Sequence, residues 1–232
     1  MIYAIVGGII CVLLATLFIV VRVRRGGMLA LNLKTLASIG FVVLGATMFF
    51  VINTFSWKSV FVILGLICGL AGDVLLDFKV VKKEKSDLFL ALGMGAFGLG
   101  HAFYFTYIML AIVEFSWLFL LISILSAILV VLVVVFVAKP IMKLDFGKFL
   151  WPTIAYTFIL SFVMVFAICS AVVQPALWIL ALGLGLIFLS DLVLSQMYFG
   201  GKQDDKLLCI INHGIYYLGQ IAIAISCLTL IV

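Results

Sequence analysis

Two aspartates lie inside stretches of the sequence that are otherwise apolar, Asp73 within residues 69–76 and Asp191 within residues 186–194. A carboxylate in hydrocarbon is costly unless it is paired, hydrated or protonated, so an acid at such a position indicates a functional site. Three roles are open: a hydrogen bond to a neighbouring helix, a path for ions or protons, and acid/base catalysis. In catalysis, one carboxyl of a pair in a low-dielectric pocket keeps its proton as an acid, and the other stays ionised as a base.

Two more charged residues accompany Asp73. Asp77 follows it by one helical turn and therefore shares its face of a helix. We expect Asp77 to lie near the membrane surface, where water and Lys79 satisfy it. Lys34 precedes the second apolar stretch, and we expect it either to anchor the helix by reaching the headgroup region or to bind a lipid phosphate.

The two histidines, His101 and His213, raise the question of a metal site. No H-x-x-x-H or H-E-x-x-H spacing occurs, so metal ligation has only weak support and no cofactor is predicted. We expect each histidine to form a hydrogen bond within the protein or to a lipid headgroup. Residues 93–98 match the dinucleotide pattern G-x-G-x-x-G, but no strand precedes them and they are part of an apolar stretch, so the match is taken as accidental.

Hydroxyl side chains supply the remaining candidates. Ser190 adjoins Asp191, and without a G-x-S-x-G elbow it is expected to donate a hydrogen bond between packed helices rather than to act as a nucleophile. Four tyrosines could form the wall of a pocket around the acids: Tyr104, Tyr156, Tyr216 and Tyr217.

The elements that position these residues are predicted to be transmembrane helices. Hydrophobic residues make up 68% of the sequence and charged residues 10%, and the mean hydropathy is +1.48, which indicates a polytopic membrane protein. Backbone in lipid must satisfy its own hydrogen bonds, so apolar runs of spanning length are helical even where β-branched residues dominate. The sequence predicts an all-α bundle in one transmembrane domain, residues 1–232, with eight helices at about 2–21, 35–52, 59–78, 88–110, 116–138, 149–169, 176–197 and 207–229.

The basic residues give an independent check on this count. If eight helices alternate in direction, thirteen lysines and arginines fall on one side and only Lys58 on the other. The positive-inside rule makes the basic side cytoplasmic and both termini non-cytoplasmic. The net charge of +5 comes from this asymmetry, so it indicates contact with anionic lipid headgroups and not with nucleic acid.

The two acids are predicted to share one depth, about 9 Å from the cytoplasmic ends of their helices. Each acid-bearing helix is followed by the helix that carries the only histidine of its half of the sequence. A parallel duplication of four helices plus four explains this spacing, as does chance similarity between leucine-rich helices.

Four motifs follow one another along the chain: Gly72-Asp73-x-x-Leu76, Phe97-x-x-Gly100-His101-x-x-Tyr104, Phe188-x-Ser190-Asp191-x-x-Leu194 and Tyr216-Tyr217-x-x-Gln220. Their order and spacing make the sequence resemble the YhhN-like family of lysoplasmalogenases across nearly its whole length. One departure is Thr35 after Lys34, where the family usually has proline.

The resemblance implies hydrolysis of the vinyl ether bond of lysoplasmalogens to a fatty aldehyde and glycerophosphocholine or glycerophosphoethanolamine. Asp73 and Asp191 are then the predicted acid and base, in either order, and the partners are a lysophospholipid and the membrane lipids. The predicted substrate or water contacts are Lys34, Asp77, His101, Tyr104, Tyr156, Ser190, His213, Tyr216, Tyr217 and Gln220.

Two other functions compete with this hypothesis. Intramembrane acids also serve proton-coupled transport of lipids or small solutes, and Asp with His could support metal-dependent lipid hydrolysis. Short connections favour a bacterial cytoplasmic membrane over the endoplasmic reticulum as the location. The sequence predicts no oligomeric state.

Overall fold

A computed structural model describes residues 2–51 and 57–228, which form eight long helices joined by short connections. Each helix is long and apolar enough to cross a membrane. The predicted all-α fold with eight transmembrane helices is therefore confirmed, and the chain is an integral membrane protein. The helices are α1 (Ile2–Arg24), α2 (Gly27–Val51), α3 (Val60–Val81), α4 (Ser86–Ala111), α5 (Trp117–Ile141), α6 (Leu150–Val173), α7 (Trp178–Phe199) and α8 (Lys206–Ser226).

The start of α2 differs most from the prediction. The helix begins at Gly27 and not near residue 35, so Lys34 lies two turns inside it. Gly26 and Gly27 adopt positive φ angles of 62° and 68°, which glycine tolerates, and this tight link lets the helix resume directly after α1. Residues 1, 52–56 and 229–232 of the predicted domain, which include the last residue of the predicted second and eighth spans, lie outside the described residues.

The fifth helix contains an irregular turn. Residues Trp117–Val133 are α-helical, Val134–Ala138 form a π-helical turn, and Lys139–Ile141 return to α-helix. The β-branched run at 130–135 is thus helical, as predicted. Pro140 has no N–H to donate to the carbonyl of residue 136, which accounts for a widened turn at this point.

The arrangement of the helices places α8 in the interior. Consecutive helices pack from α1 to α4 and from α5 to α8, α4 also packs on α6, and α8 packs on α1, α2 and α3 as well as on α7. In the spanning window of α8, 56% of residues are buried, against 11% in α5, which packs mainly on α6. The membrane orientation and the internal duplication stay predictions.

Glycines set the closest helix approaches. A Cβ on Gly72 would lie 2.5 Å from the Phe97 ring of α4, beside the acid at position 73. On α7, a Cβ on Gly183 would lie 2.9 Å from the backbone oxygen of Gly219 in α8. Such small residues let membrane helices approach closely and give van der Waals contact in place of the hydrophobic effect.

Candidate functional site

Asp73 lies at the junction of α2, α3 and α8 and is 2% exposed. The ammonium of Lys34 lies 3.3 Å from its Oδ1. Ser38 and Tyr216 donate hydrogen bonds of 2.6 and 2.7 Å to its Oδ2, and Gln220 donates to the Tyr216 hydroxyl at 3.0 Å. One cation and two hydroxyl donors satisfy this carboxyl group as a carboxylate.

Asp77 extends this arrangement toward the end of α3. The guanidinium of Arg22 donates to both of its oxygens, at 3.3 and 3.2 Å, and Lys34 donates to Oδ1 at 3.3 Å. The expectation of a solvated Asp77 satisfied by Lys79 is wrong, because Asp77 is 1% exposed and Lys79 instead lies over the ring of Tyr198.

Lys34 is likewise not a surface anchor. It is 5% exposed, and its ammonium bridges Asp73 and Asp77. The expected contact with headgroups is wrong because α2 begins two turns earlier than predicted, which draws the lysine into the protein. Tyr217 supports this position by donating to the Lys34 carbonyl at 3.3 Å.

We call Arg22, Lys34, Asp73 and Asp77 the charge network. It contains two cations and two anions, so it is formally neutral, and its members come from α1, α2 and α3 while Tyr216 of α8 closes it. Burying a charge is costly, and each of these charges has an opposite partner and hydrogen bonds in place of water. The network therefore fixes the relative positions of four helices.

Asp191 has a different environment. Tyr156 of α6 donates a 2.6 Å hydrogen bond to its Oδ2, and no cation contacts it among the described residues. Asp191 lines a cavity of about 80 Å³ between α3, α4, α6 and α7, and Val134 of the π-helical turn in α5 also lines it. Asp191 is the only charged residue in the described lining of this space, which we call the apolar cavity.

The rest of the apolar cavity is mostly hydrocarbon and aromatic, with a few hydroxyls near the acid. Thr153, Thr157 and Ser195 contribute these hydroxyls. The Thr153 hydroxyl is buried and has no hydrogen-bond partner in the described part of the chain. The walls are formed by side chains such as Leu76, Met94, Phe97, Leu160, Phe188 and Phe199.

The two acids occupy equivalent positions in α3 and α7. Each precedes the last residue of its helix, Val81 or Phe199, by eight residues, which is about 12 Å of helix rather than the predicted 9 Å. Only Asp191 faces the apolar cavity, since Asp73 is not part of its described lining.

A second, larger cavity of about 720 Å³ lies where the ends of α1, α3 and α7 meet the start of α8. We call it the basic cavity because six of its lining residues are lysine or arginine. His213 also lines it, and its ring donates a 2.8 Å hydrogen bond from Nδ1 to the Cys209 carbonyl in its own helix.

Three predicted candidates lie outside both cavity linings and outside the cluster around Asp73. His101 Nδ1 is 2.9 Å from the carbonyl of Phe97 in its own helix, and Tyr104 packs on Gly65. Ser190 bonds to Asn212 of α8, as expected of a helix-packing donor. The structure thus groups Lys34, Asp73, Asp77, Tyr216, Tyr217 and Gln220 in one cluster and Tyr156 with Asp191 in another.

Several contributors were not predicted as site residues, among them Arg22, Ser38, Thr153, Asn212 and Tyr198. Arg22 follows an apolar run and looked like one more flanking cation, whereas Ser38 follows Lys34 by one turn and so shares its face. That spacing was the available signal for Ser38. No group of three or more His, Cys, Asp and Glu side chains is placed to hold a metal ion within residues 2–51 and 57–228.

Comparisons with known proteins place the chain in a family. A sequence model of the YhhN family matches residues 29–227, which include both aspartates, Tyr156 and the linings of both cavities apart from the end of α1 and the α1–α2 link. Comparisons with curated proteins and with solved structures found no match. Because the family model covers far more than half of the sequence, this protein belongs to the YhhN family.

Proposed function

We propose that the protein hydrolyses the vinyl ether bond of lysoplasmalogens within the membrane, releasing a fatty aldehyde and a glycerophosphocholine or glycerophosphoethanolamine. Family membership supports a shared activity, and the sequence resemblance supplies the reaction. The observation that carries the proposal is Asp191, which lines an apolar cavity and has a neutral tyrosine as its hydrogen-bond donor.

An acid in an apolar cavity suits this reaction because the first step is protonation of carbon. A vinyl ether is cleaved when its β-carbon takes up a proton, which leaves an oxocarbenium ion at the adjacent carbon. A carboxyl group that has no cation partner and little water around it can hold the proton needed for this step. The cavity of about 80 Å³ has room for the scissile segment and not for a whole fatty chain, so the remainder extends between helices.

Asp191 accounts for the proton balance of the whole cycle. Its proton moves to the β-carbon, and the resulting carboxylate stabilises the oxocarbenium ion. Water then adds to the cationic carbon and gives a proton back to Asp191, which restores the acid and yields a hemiacetal. The hemiacetal collapses to the aldehyde and the free glycerol hydroxyl, with no net change in protons.

The hydroxyls beside Asp191 give the attacking water a place to bind. Thr153 is buried without a partner among the described residues and lines the same cavity as Asp191. Tyr156 donates to Oδ2 of Asp191, which leaves Oδ1 to carry the proton. These groups position water and acid on one side of the substrate.

Asp73 has a different task in this proposal. It is fully engaged by Lys34, Ser38 and Tyr216, so it does not exchange a proton with the substrate. It acts as a positioning residue, because its carboxylate holds Tyr216 and the charge network that forms the other side of α3.

The experiment measures aldehyde release from a lysoplasmalogen by the purified protein in D2O. Protonation at carbon predicts one deuterium at the aldehyde carbon next to the carbonyl, beyond the exchange seen when the aldehyde alone is incubated. Asp191→Asn is expected to lower the rate at least about 100-fold, whereas Asp87→Asn is the matched control, since Asp87 is exposed and paired with Lys148.

Three outcomes would contradict the proposal. Undiminished activity of Asp191→Asn would show that Asp191 is not the acid. An aldehyde without added deuterium would show that the reaction does not protonate carbon. Movement of intact lipid across vesicles without aldehyde release would favour transport.

A further inference from the structure

The apolar and basic cavities adjoin one another. Leu194 and Tyr198 line both. These residues lie one and two turns beyond Asp191 on α7, at spacings that put all three on one face of the helix. From Asp191 to Tyr198 the helix rises about 10 Å, a distance that a glycerol-phosphate unit spans together with the ether-linked carbons next to it.

The basic cavity carries an excess of positive charge. Six cations line it against the two acids Asp204 and Asp205, and Asp205 is engaged as the N-cap of α8, where it accepts from the backbone of Leu207 and Leu208. The cations come from three separate parts of the chain: Arg22, Arg24, Arg25, Lys79, Lys83 and Lys206. A cavity of this charge and size fits a phosphate-bearing group.

One of these cations lies at the boundary between the two cavities. Lys79 Nζ is 3.5 Å from the centroid of the Tyr198 ring, a cation–π contact that orients the ammonium. Arg22 is already engaged with Asp77. Arg24 and Lys83 are exposed, and no ion pair to either is found among the described residues, so their charges are available to an anion.

We propose that the basic cavity is the phosphate subsite of a single lipid-binding site, with Lys79, Lys83 and Arg24 as its ligands. The lipid's ether-linked segment then lies in the apolar cavity, and its glycerol passes Leu194 and Tyr198. The identity of the lipid rests on the proposed function, whereas recognition of a phosphate-bearing lipid does not require cleavage.

The test is therefore a binding measurement with lipids that this reaction cannot cleave. The purified full-length protein in detergent is titrated with a saturated 1-alkyl lysophosphocholine and with the matching 1-alkylglycerol, which lacks phosphate. We expect the phosphate-bearing lipid to bind at least about tenfold more tightly, and added salt to reduce this difference.

The variants localise the binding. Arg24→Gln with Lys83→Gln is expected to remove most of the preference for the phosphate-bearing lipid, and Lys79→Gln to reduce it. Lys85→Gln is the control, since Lys85 is an exposed lysine in the same connection that is not part of the cavity lining. Thermal unfolding of each variant without lipid shows whether it is folded.

Two results would overturn the phosphate subsite. One is equal affinity for the two lipids, and the other is a full preference retained in the Arg24/Lys83 double variant. Inorganic phosphate that competed at the affinity of the lipid would assign the cavity to free phosphate instead. Preferential binding of the phosphate-bearing lipid, together with no aldehyde release from a lysoplasmalogen, would contradict the proposed hydrolysis and still support the phosphate subsite.

Discussion

Asp73 and Asp191 show how two identical side chains at equivalent positions in their helices acquire different chemistry from their neighbours. Asp73 accepts from an ammonium and two hydroxyls, which commits both of its oxygens. Asp191 accepts from one tyrosine and lines an apolar cavity, so part of its carboxyl group remains available to a substrate. Buried charge is tolerated where it is paired, and the incomplete pairing of Asp191 is the reason that we propose it, and not Asp73, as the reacting acid.

The charge network gives a prediction that separates structure from catalysis. Asp73→Asn and Lys34→Met should each lower the free energy of unfolding by about 3–5 kcal/mol, because each leaves one buried charge uncompensated. The double variant removes both and leaves the Arg22–Asp77 pair intact, so it should recover most of the loss. Denaturant unfolding of the purified variants in detergent measures these differences.

Activity of the same double variant tests the division of roles. If Asp73 only positions the network, the double variant keeps measurable aldehyde release and the incorporation of deuterium, although Asp191→Asn does not. If the double variant is as stable as the unmodified chain and yet as inactive as Asp191→Asn, then Asp73 takes part in the reaction itself.

Both acids could be identified from the sequence because a carboxylate among apolar residues of a transmembrane helix is costly to bury. It could not divide their roles, since Lys34, Ser38 and Tyr216 reach Asp73 from two other helices. The position of Lys34 was misjudged because an ammonium near the end of an apolar run suits the headgroup region equally well. The position of such a lysine is decided by contacts between helices, which cannot be read from one sequence.

At the scale of helices, the least buried span, α5, has the highest mean hydropathy, and the most buried span, α8, shares the lowest with α4. The spanning window of α5 has a mean hydropathy of 3.4 and is 11% buried, whereas that of α8 has 1.5 and is 56% buried. Helices facing lipid need apolar side chains all round, while an interior helix can carry Asn212, Tyr216 and Gln220 toward protein partners. The number and approximate spans of the helices follow from apolar run length, and the interior place of α8 follows from where its polar residues find partners.

The contact between α7 and α8 gives a prediction at this scale. A Cβ on Gly183 would lie 2.6 Å from Ile223 Cγ1 and 2.9 Å from the Gly219 oxygen, so Gly183→Ala should cost about 1–3 kcal/mol. Gly185→Ala on the same helix is the control, because no atom lies within 4 Å of its added Cβ. Unfolding in detergent should separate the two variants, and equal stabilities would show that the helices separate without cost.

Across the whole molecule, the charged connections gather at one end of the bundle. The basic cavity brings the α1–α2 link together with the end of α3 and the α7–α8 connection. Lys148, before α6, pairs with Asp87 at the start of α4 at 2.6 Å. The opposite end carries Lys58 as its single lysine by the alternation of the helices. Both cavities therefore belong to the basic half of the protein, and the side of the membrane that they face depends on its orientation.

Labelling of single added cysteines in intact cells tests this orientation. By the positive-inside rule, the basic end is cytoplasmic, so Lys202→Cys in the α7–α8 connection should react with an impermeant maleimide only after the membrane is opened. Glu114→Cys, in the connection between α4 and α5, should react in intact cells, since both positions are exposed. The unmodified chain sets the background from its five cysteines, three of which are buried. This labelling pattern would show that the basic cavity faces the cytoplasmic leaflet, where anionic lipids are concentrated. The reverse pattern would show that it faces the opposite leaflet.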